Sequence, residues 1–168
     1  LTESRIYFRL QNISKSKAAL TASRTAANAI YVVPLLQAEI DAMSGMLQCE
    51  EGDNATAFSY FLEAFEGYDQ SSHSYATTCL QYMMLCKVLD GKAHDVAGLI
   101  SGKYGLKYKS PGIDGMGAVA KAALASSLSD FQTAVDKYAS WFKTDVLVSN
   151  HLEMLYNDML EANLLKLM

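Results

Sequence analysis

The stretch PLLQAEIDAMSGMLQCEEGDNATAFSYFLEAFEGYD, residues 34–69, decides the fold. Pro34 stands where a first-turn proline is tolerated, and behind it Leu36, Ile40, Met43 and Leu47 recur at i, i+4, i+7 and i+11, the spacing of one helix face. Gly52 ends that stripe, and Asp53, a good N-cap, opens another in which Ala57, Phe61, Ala64, Phe65 and Tyr68 keep the same period to about Asp69. Two helices, about 35–51 and 54–69, joined by a tight turn, make a helical hairpin.

The same grammar extends outward in both directions. Ser72 or Ser74 caps a third helix in which Tyr75, Cys79, Tyr82, Cys86 and Leu89 form one stripe and Leu80, Met83, Met84, Leu85 and Val88 fill the other sides. A helix apolar all round is expected to be buried on every face. Gly91 stops it, and Val96, Leu99 and Ile100 carry a shorter helix that fades at Gly102. Residues 103–117 hold four of the ten glycines and Pro111, with neither a helical stripe nor an alternation, and are expected to be the main loop. A small-residue helix is expected over 118–125. Ser127, with Asp130 three positions later, starts another that runs to about Lys143, and a last helix spans Val146 to Met168 with Leu152, Leu155, Tyr156, Met159, Leu160, Leu164 and Leu167 on a broad face. Toward the N-terminus, Thr2–Leu10 and the alanine-rich Ser14–Tyr31 read as two more helices.

Overlaying the helix starts shows a repeat. Ser14, Asp53, Lys92 and Asp130 are spaced by 39, 39 and 38 residues, and each is followed four and eight residues later by Ala18/Ala22, Ala57/Phe61, Val96/Ile100 and Ala134/Tyr138. Each unit is a hairpin whose small residue admits its partner helix closely. The period lies between those of the tetratricopeptide and HEAT classes, so the expected fold is all-α, a solenoid of stacked antiparallel helical hairpins forming a single array over 1–168.

Composition agrees and excludes alternatives. A chain of 168 residues that is 51% hydrophobic and 19% charged can bury a core, and two prolines and ten glycines are too few turn signals for an all-β domain. The net charge of −4 argues against nucleic acid as a partner, and no apolar run approaches the ~20 residues of a membrane span. Cys49, Cys79 and Cys86 lack paired spacing and read as reduced core residues. Beginning at Leu1 with no basic or apolar leader, the sequence is expected to be a piece of a longer cytosolic or nuclear chain.

Catalytic chemistry finds little support. His73, His94 and His151 are scattered, and His151 with Glu153 places i and i+2 on different faces of a helix. Gly112–Gly117 could offer backbone N–H groups to a phosphate, but no strand leads into it and no Gly-Lys-Ser/Thr follows, so a flexible connection is the better reading. No metal, cofactor or catalytic residue is therefore assigned. Lys103-Tyr104 and Lys107-Tyr108-Lys109 interleave bases with aromatics in a pattern that suits single-stranded nucleic acid, yet in an acidic chain a solvated helix end is preferred. Tyr60 and Tyr68 at the edges of the 54–69 stripe, Tyr104 and Tyr108 in the expected loop, and Trp141 close to a charged helix end are the candidates for a protein interface.

Several runs together carry a resemblance. Ala57-Phe58-Ser59-Tyr60-Phe61-Leu62-Glu63-Ala64-Phe65-Glu66-Gly67-Tyr68-Asp69 resembles a hairpin of the PCI-domain subunits of the proteasome regulatory-particle lid. So do Arg24–Tyr31, Leu80–Lys87, Leu99–Lys103, Ser127–Phe131 and His151–Asn157, in order over nearly the whole chain. The resemblance implies the middle of a PCI-type subunit, its helical repeats wound as a right-handed superhelix, with a winged-helix half following and further hairpins preceding. It implies a non-catalytic scaffold in the lid of the 26S proteasome, acting in ubiquitin-dependent degradation in cytoplasm and nucleus. Its partners would be other lid subunits and, through the full-length chain, the ATPase base and the core particle. The second subunit of the COP9 signalosome shares the Phe-x-Glu-Ala-Phe and Tyr-Asp pattern and is the alternative within the class. A small helical enzyme using the 103–117 loop as a lid, and an RNA-binding helical repeat, are the alternatives outside it.

Overall fold

In a computed structural model describing Leu1–Leu167, eleven helices and no strand occur among the described residues. They are α1 (Thr2–Arg9), α2 (Ile13–Asn28), α3 (Pro34–Glu50), α4 (Asn54–Gln70), α5 (Tyr75–Leu89), α6 (Asp95–Ser101), α7 (Lys103–Lys107), α8 (Pro111–Leu124), α9 (Leu128–Lys137), α10 (Ala139–Phe142) and α11 (Val146–Leu167). Met168 and the side chain of Leu167, both assigned to the last helix from sequence, lie outside the described residues. The chain packs as two compact units, Leu1–Met83 and the part from Met84 on. Neighbouring helices pair, α1 with α2 and α3 with α4 in the first, α8 with α9 in the second. This is the all-α hairpin architecture that the periodicity predicts.

One device recurs at the helix ends. After α3, Gly52 takes φ +83°, its N–H bonds Cys49 O at 3.1 Å and the N–H of Asp53 bonds Gln48 O at 3.0 Å, the two bonds of a Schellman turn. Gly91 with Lys92 does the same after α5. Gln11, Ser72 and Ser126 repeat the turn after α1, α4 and α8 at φ 56°, 51° and 50°, where a side chain is unfavourable. The residue after each turn often becomes the next N-cap: Asn12 accepts from Lys15 N–H, Asp53 from Thr56 N–H and Ser127 from Asp130 N–H.

These turns correct the repeat. Its anchors are Asn12, Asp53, Lys92 and Ser127, spaced by 41, 39 and 35, so the outer two marks fall two and three residues before those expected. Four residues beyond each anchor stand Ser16, Ala57, Val96 and Phe131, all buried. Ala18 and Ala22 are exposed instead, because α2 turns Ser16, Leu20 and Ala27 inward. Ser16 meets α1 through a reciprocal pair of bonds: each hydroxyl of Ser4 and Ser16 donates to the other residue's carbonyl at 2.8 Å. α2 also stops at Asn28 rather than Tyr31, since Ala29 and Ile30 tighten into i−3 bonds and Val33, preceding Pro34, is extended.

Residues 103–117 are not a loop. Lys103–Lys107 form α7, and α8 begins at Pro111 with Ser110 as its N-cap, bonded by Ile113 N–H at 3.3 Å. The glycines mark close packing. A methyl group on Gly115 would lie 2.8 Å from Phe142 Cζ, and one on Gly117 2.7 Å from Ile100 Cδ1. The helix expected to reach Lys143 breaks at Tyr138, whose φ −107° and ψ 20° end α9 and begin α10.

The core of the first unit is α3 against α4. Ile40, Met43 and Leu47 of α3 and Ala57, Phe61, Ala64 and Phe65 of α4 are all buried, and glycines bring the axes together where Ala38 and Gly45, on the side of α3 away from its stripe, meet α4. A methyl on Gly45 would sit 2.7 Å from Phe61 Cε1, and one on Gly67 2.8 Å from Ala38 Cβ. α5 is buried all round as expected, with Ala76, Cys79, Leu80, Tyr82, Met83, Met84, Leu85, Cys86 and Val88 below a tenth exposed.

Candidate interaction surface

On the outer side of α2 a groove of about 290 Å³ opens toward α3 and α4. α2 contributes Lys17, Thr21, Arg24, Thr25 and Asn28 at helical spacing, α3 contributes Ser44 and Gln48, and α4 contributes Tyr60. Arg24 organises it. Its Nη2 donates to Asp41 Oδ1 at 3.1 Å and to Ser44 Oγ at 2.7 Å, and its guanidinium lies 5.2 Å from the Tyr60 ring centroid. Asp41, only 5% exposed, accepts a further bond from Gln37 Nε2 at 3.0 Å. The buried carboxylate is thus paired and hydrogen-bonded, the condition for keeping a charge below the surface. Apolar periodicity carries no signal for this network; the only hint is the acid at position 41 beside the stripe residue Ile40.

The five aromatic candidates have different surroundings. Tyr60 is half-buried at the groove, under Arg24. Tyr68 belongs to the core: it is 2% exposed, with its ring centroid 5.2 Å from those of His73 and Tyr75. Burial, with the nearby Cys79 and Glu39, pushes its phenol well above the ordinary tyrosine range. The position that the stripe puts at an edge is sealed because the chain turns back at Ser72 and lays His73 and Tyr75 over the ring. Tyr104 lies within α7 and Tyr108 at its C-cap, both half-buried, with Lys107 Nζ 5.2 Å from the Tyr108 centroid. Trp141 is 49% exposed on α10. Tyr60 and Tyr68 fall in the first unit and the other three in the second.

Exposed apolar residues absent from the sequence-based set occur at the α2–α3 connection, where Ile30, Tyr31 and Val33 are open to solvent, and on α7 at Leu106. In the second unit a groove of about 200 Å³ lies between α9 and α11, with Phe131, Val135, Leu152 and Tyr156 among its walls and Lys143 and Glu153 at its rim.

Chemistry beyond contact has little to stand on. Burial pushes the Cys79 thiol up to about 12, away from a thiolate near neutrality, and Cys49 and Cys86 are buried as well. Among the described residues no three His, Cys, Asp or Glu side chains could share a metal ion. His151 is buried with Nδ1 2.9 Å from Leu147 O, whereas Glu153 is exposed. Gly112–Gly117 lies inside α8, whose first turn is capped by Ser110 Oγ accepting from Ile113 N–H, so the flexible connection expected there is helix instead. No described helix is long and apolar enough to cross a membrane.

No family model matches the chain. Known relatives do. It is 48% identical over 167 residues to the 26S proteasome non-ATPase regulatory subunit 11 homolog of Arabidopsis thaliana, 46% over 172 residues to the 26S proteasome regulatory subunit RPN6 of Saccharomyces cerevisiae, and 44% over 168 residues to the 26S proteasome non-ATPase regulatory subunit 11 of Dictyostelium discoideum. Each match takes in 99% of this chain and 40–41% of the relative, so the chain spans well under half the length of those proteins. The sequence therefore corresponds, nearly end to end, to one segment of the non-ATPase regulatory subunit 11, or RPN6, family of 26S proteasome subunits.

Proposed function

We propose that the chain is a non-catalytic scaffold segment of a PCI-type subunit in the lid of the 26S proteasome regulatory particle, present in cytoplasm and nucleus. In that role the helical hairpins hold other lid subunits in register, and the full-length protein meets the ATPase base and the core particle during ubiquitin-dependent degradation. The observation that carries this reading is the end-to-end identity of up to 48% with subunits named as non-ATPase and regulatory. The all-helical hairpin packing supports it, because stacked hairpins offer extended surface at little cost in chain length. Tyr60, Tyr104, Tyr108 and Trp141 are the aromatic residues proposed for subunit contacts.

Affinity purification of the tagged full-length protein, with identification of what co-purifies, tests the assignment. Proteasome ATPases and lid subunits are expected in stoichiometric amounts, as is tagged protein in both compartments by microscopy. Cullins and COP9 signalosome subunits in their place would overturn it.

A further inference from the structure

Between Asp95 and Asp114 the only charged side chains are Lys103, Lys107 and Lys109, in a chain whose net charge is −4. α7 gathers them. Lys103, Leu106 and Lys107 stand at i, i+3 and i+4, which places them on one helix face, and all three are exposed, Leu106 at 70%. The opposite side is fixed to the protein: Gly105 is buried so tightly that a methyl there would fall 2.2 Å from Ile100 O. Lys107 is held over the Tyr108 ring at 5.2 Å, and Lys109 follows one residue later, also exposed. Among the described residues no carboxylate forms an ion pair with Lys103 or Lys109.

We infer that this face of α7, with the exposed Lys109 just beyond its end, is a docking site for an acidic segment of another polypeptide, one that presents carboxylates to Lys103 and Lys109 and an apolar side chain to Leu106. The charges select the sign of the partner, and the exposed leucine selects its kind. Single-stranded nucleic acid would need open aromatic faces for its bases, but Tyr104 and Tyr108 are half-buried and the exposed apolar group is aliphatic. A protein segment uses both features, carboxylates at the rim and a side chain against Leu106. A mount this rigid also loses little side-chain or loop freedom on binding. The inference rests on the proposed role as an assembly subunit and adds where a contact lies and what chemistry it meets.

Zero-length carbodiimide coupling, which joins a lysine amine to a carboxylate in direct contact, tests it on the full-length protein purified natively with its neighbours. Peptides joining Lys103 or Lys109 to an Asp or Glu of a different polypeptide are expected. In Lys103→Glu/Lys109→Glu the melting temperature should hold while retention of that polypeptide falls about tenfold, since like charges then face each other. Lys103→Arg/Lys109→Arg should retain it but lose the coupled peptides. Links from other lysines to neighbouring subunits, with none from this face, would overturn the site and leave the proposed function standing. An absence of links to any neighbour would overturn both, and photo-adducts of nucleotides on Tyr104 or Tyr108 would replace the protein partner with nucleic acid.

Discussion

Gly45→Ala adds a single methyl group at the tightest point between α3 and α4. The new Cβ would stand 2.7, 2.8 and 3.0 Å from three atoms of the Phe61 ring, so ordinary contact requires a shift of about 0.7 Å. The ring cannot give way freely: Phe61 is fully buried and packs against Tyr82 at 5.0 Å between centroids. Overpacking of this kind costs about 1–3 kcal/mol, and with the ring sealed on all sides the upper half of that range applies. Replacing glycine by alanine inside a helix returns about 1 kcal/mol, leaving a net loss of about 1–2 kcal/mol. Gly98→Ala supplies the internal control, because a methyl there meets nothing within 4 Å and only the propensity gain of about 1 kcal/mol remains. Thermal melts followed by circular dichroism should therefore separate the two variants by about 5 °C or more, with Gly45→Ala below the parent and Gly98→Ala above it. Phe61→Leu should cost less in the Gly45→Ala background than in the parent, a coupling that a double-mutant cycle measures. If Gly45→Ala is as stabilising as Gly98→Ala, the close approach of α3 and α4 is wrong.

Ser126→Gly should raise stability by up to about 1 kcal/mol, since it removes a side chain from a left-handed turn residue at φ 50°; an unchanged or lower denaturation midpoint would count against the turn geometry. Tyr68→Ala should cost about 3–5 kcal/mol as a core truncation, whereas Tyr60→Ala should cost about 1 kcal/mol through the lost Arg24 contact, and equal melting temperatures for the two would contradict their different burial. Cys79 and Tyr68 both lose their protons less readily folded than unfolded, so each contributes stability below its ordinary pKa. That contribution fades as the pH climbs from about 9, where the unfolded thiol ionises, toward about 12 for Cys79. Alkaline titration of the melting temperature should thus fall, Cys79→Ser should flatten part of the slope, and Cys79 should resist iodoacetamide in the native protein at pH 8.

The bounds of the hairpin over 34–70 were legible because the cues there agreed, a first-turn proline, a glycine stop, an aspartate cap and two helical stripes, although Leu36 is exposed and α3 meets α4 through Ala38 and Gly45, off its stripe. The segment 103–117 misled for a physical reason. Glycine breaks helices when backbone entropy is the only consideration, but Gly105 lies against the backbone of Leu99 and Ile100 and Gly115 against Tyr138 and Phe142, where a side chain meets its neighbours at once. Ser110-Pro111, an N-cap followed by a first-turn proline, was the signal that could have outweighed their number. In α2 the alanines concealed the inward face, which a buried serine pair with α1 fixes and which no hydrophobic pattern records. The break at Tyr138 has no glycine or proline to announce it. Of the two interface candidates read from a stripe edge, Tyr60 is half-buried at the groove, while Tyr68 is sealed by residues that follow the next turn.

Sedimentation of a lysate containing the tagged full-length protein through a glycerol gradient with ATP tests the central claim most directly. The tag should travel with the fractions that hydrolyse ubiquitin-conjugated substrate in an ATP-dependent manner, and should move to lighter fractions when ATP is withdrawn and that activity is lost. A tag that sediments apart from that activity, in a complex or alone, would contradict the account.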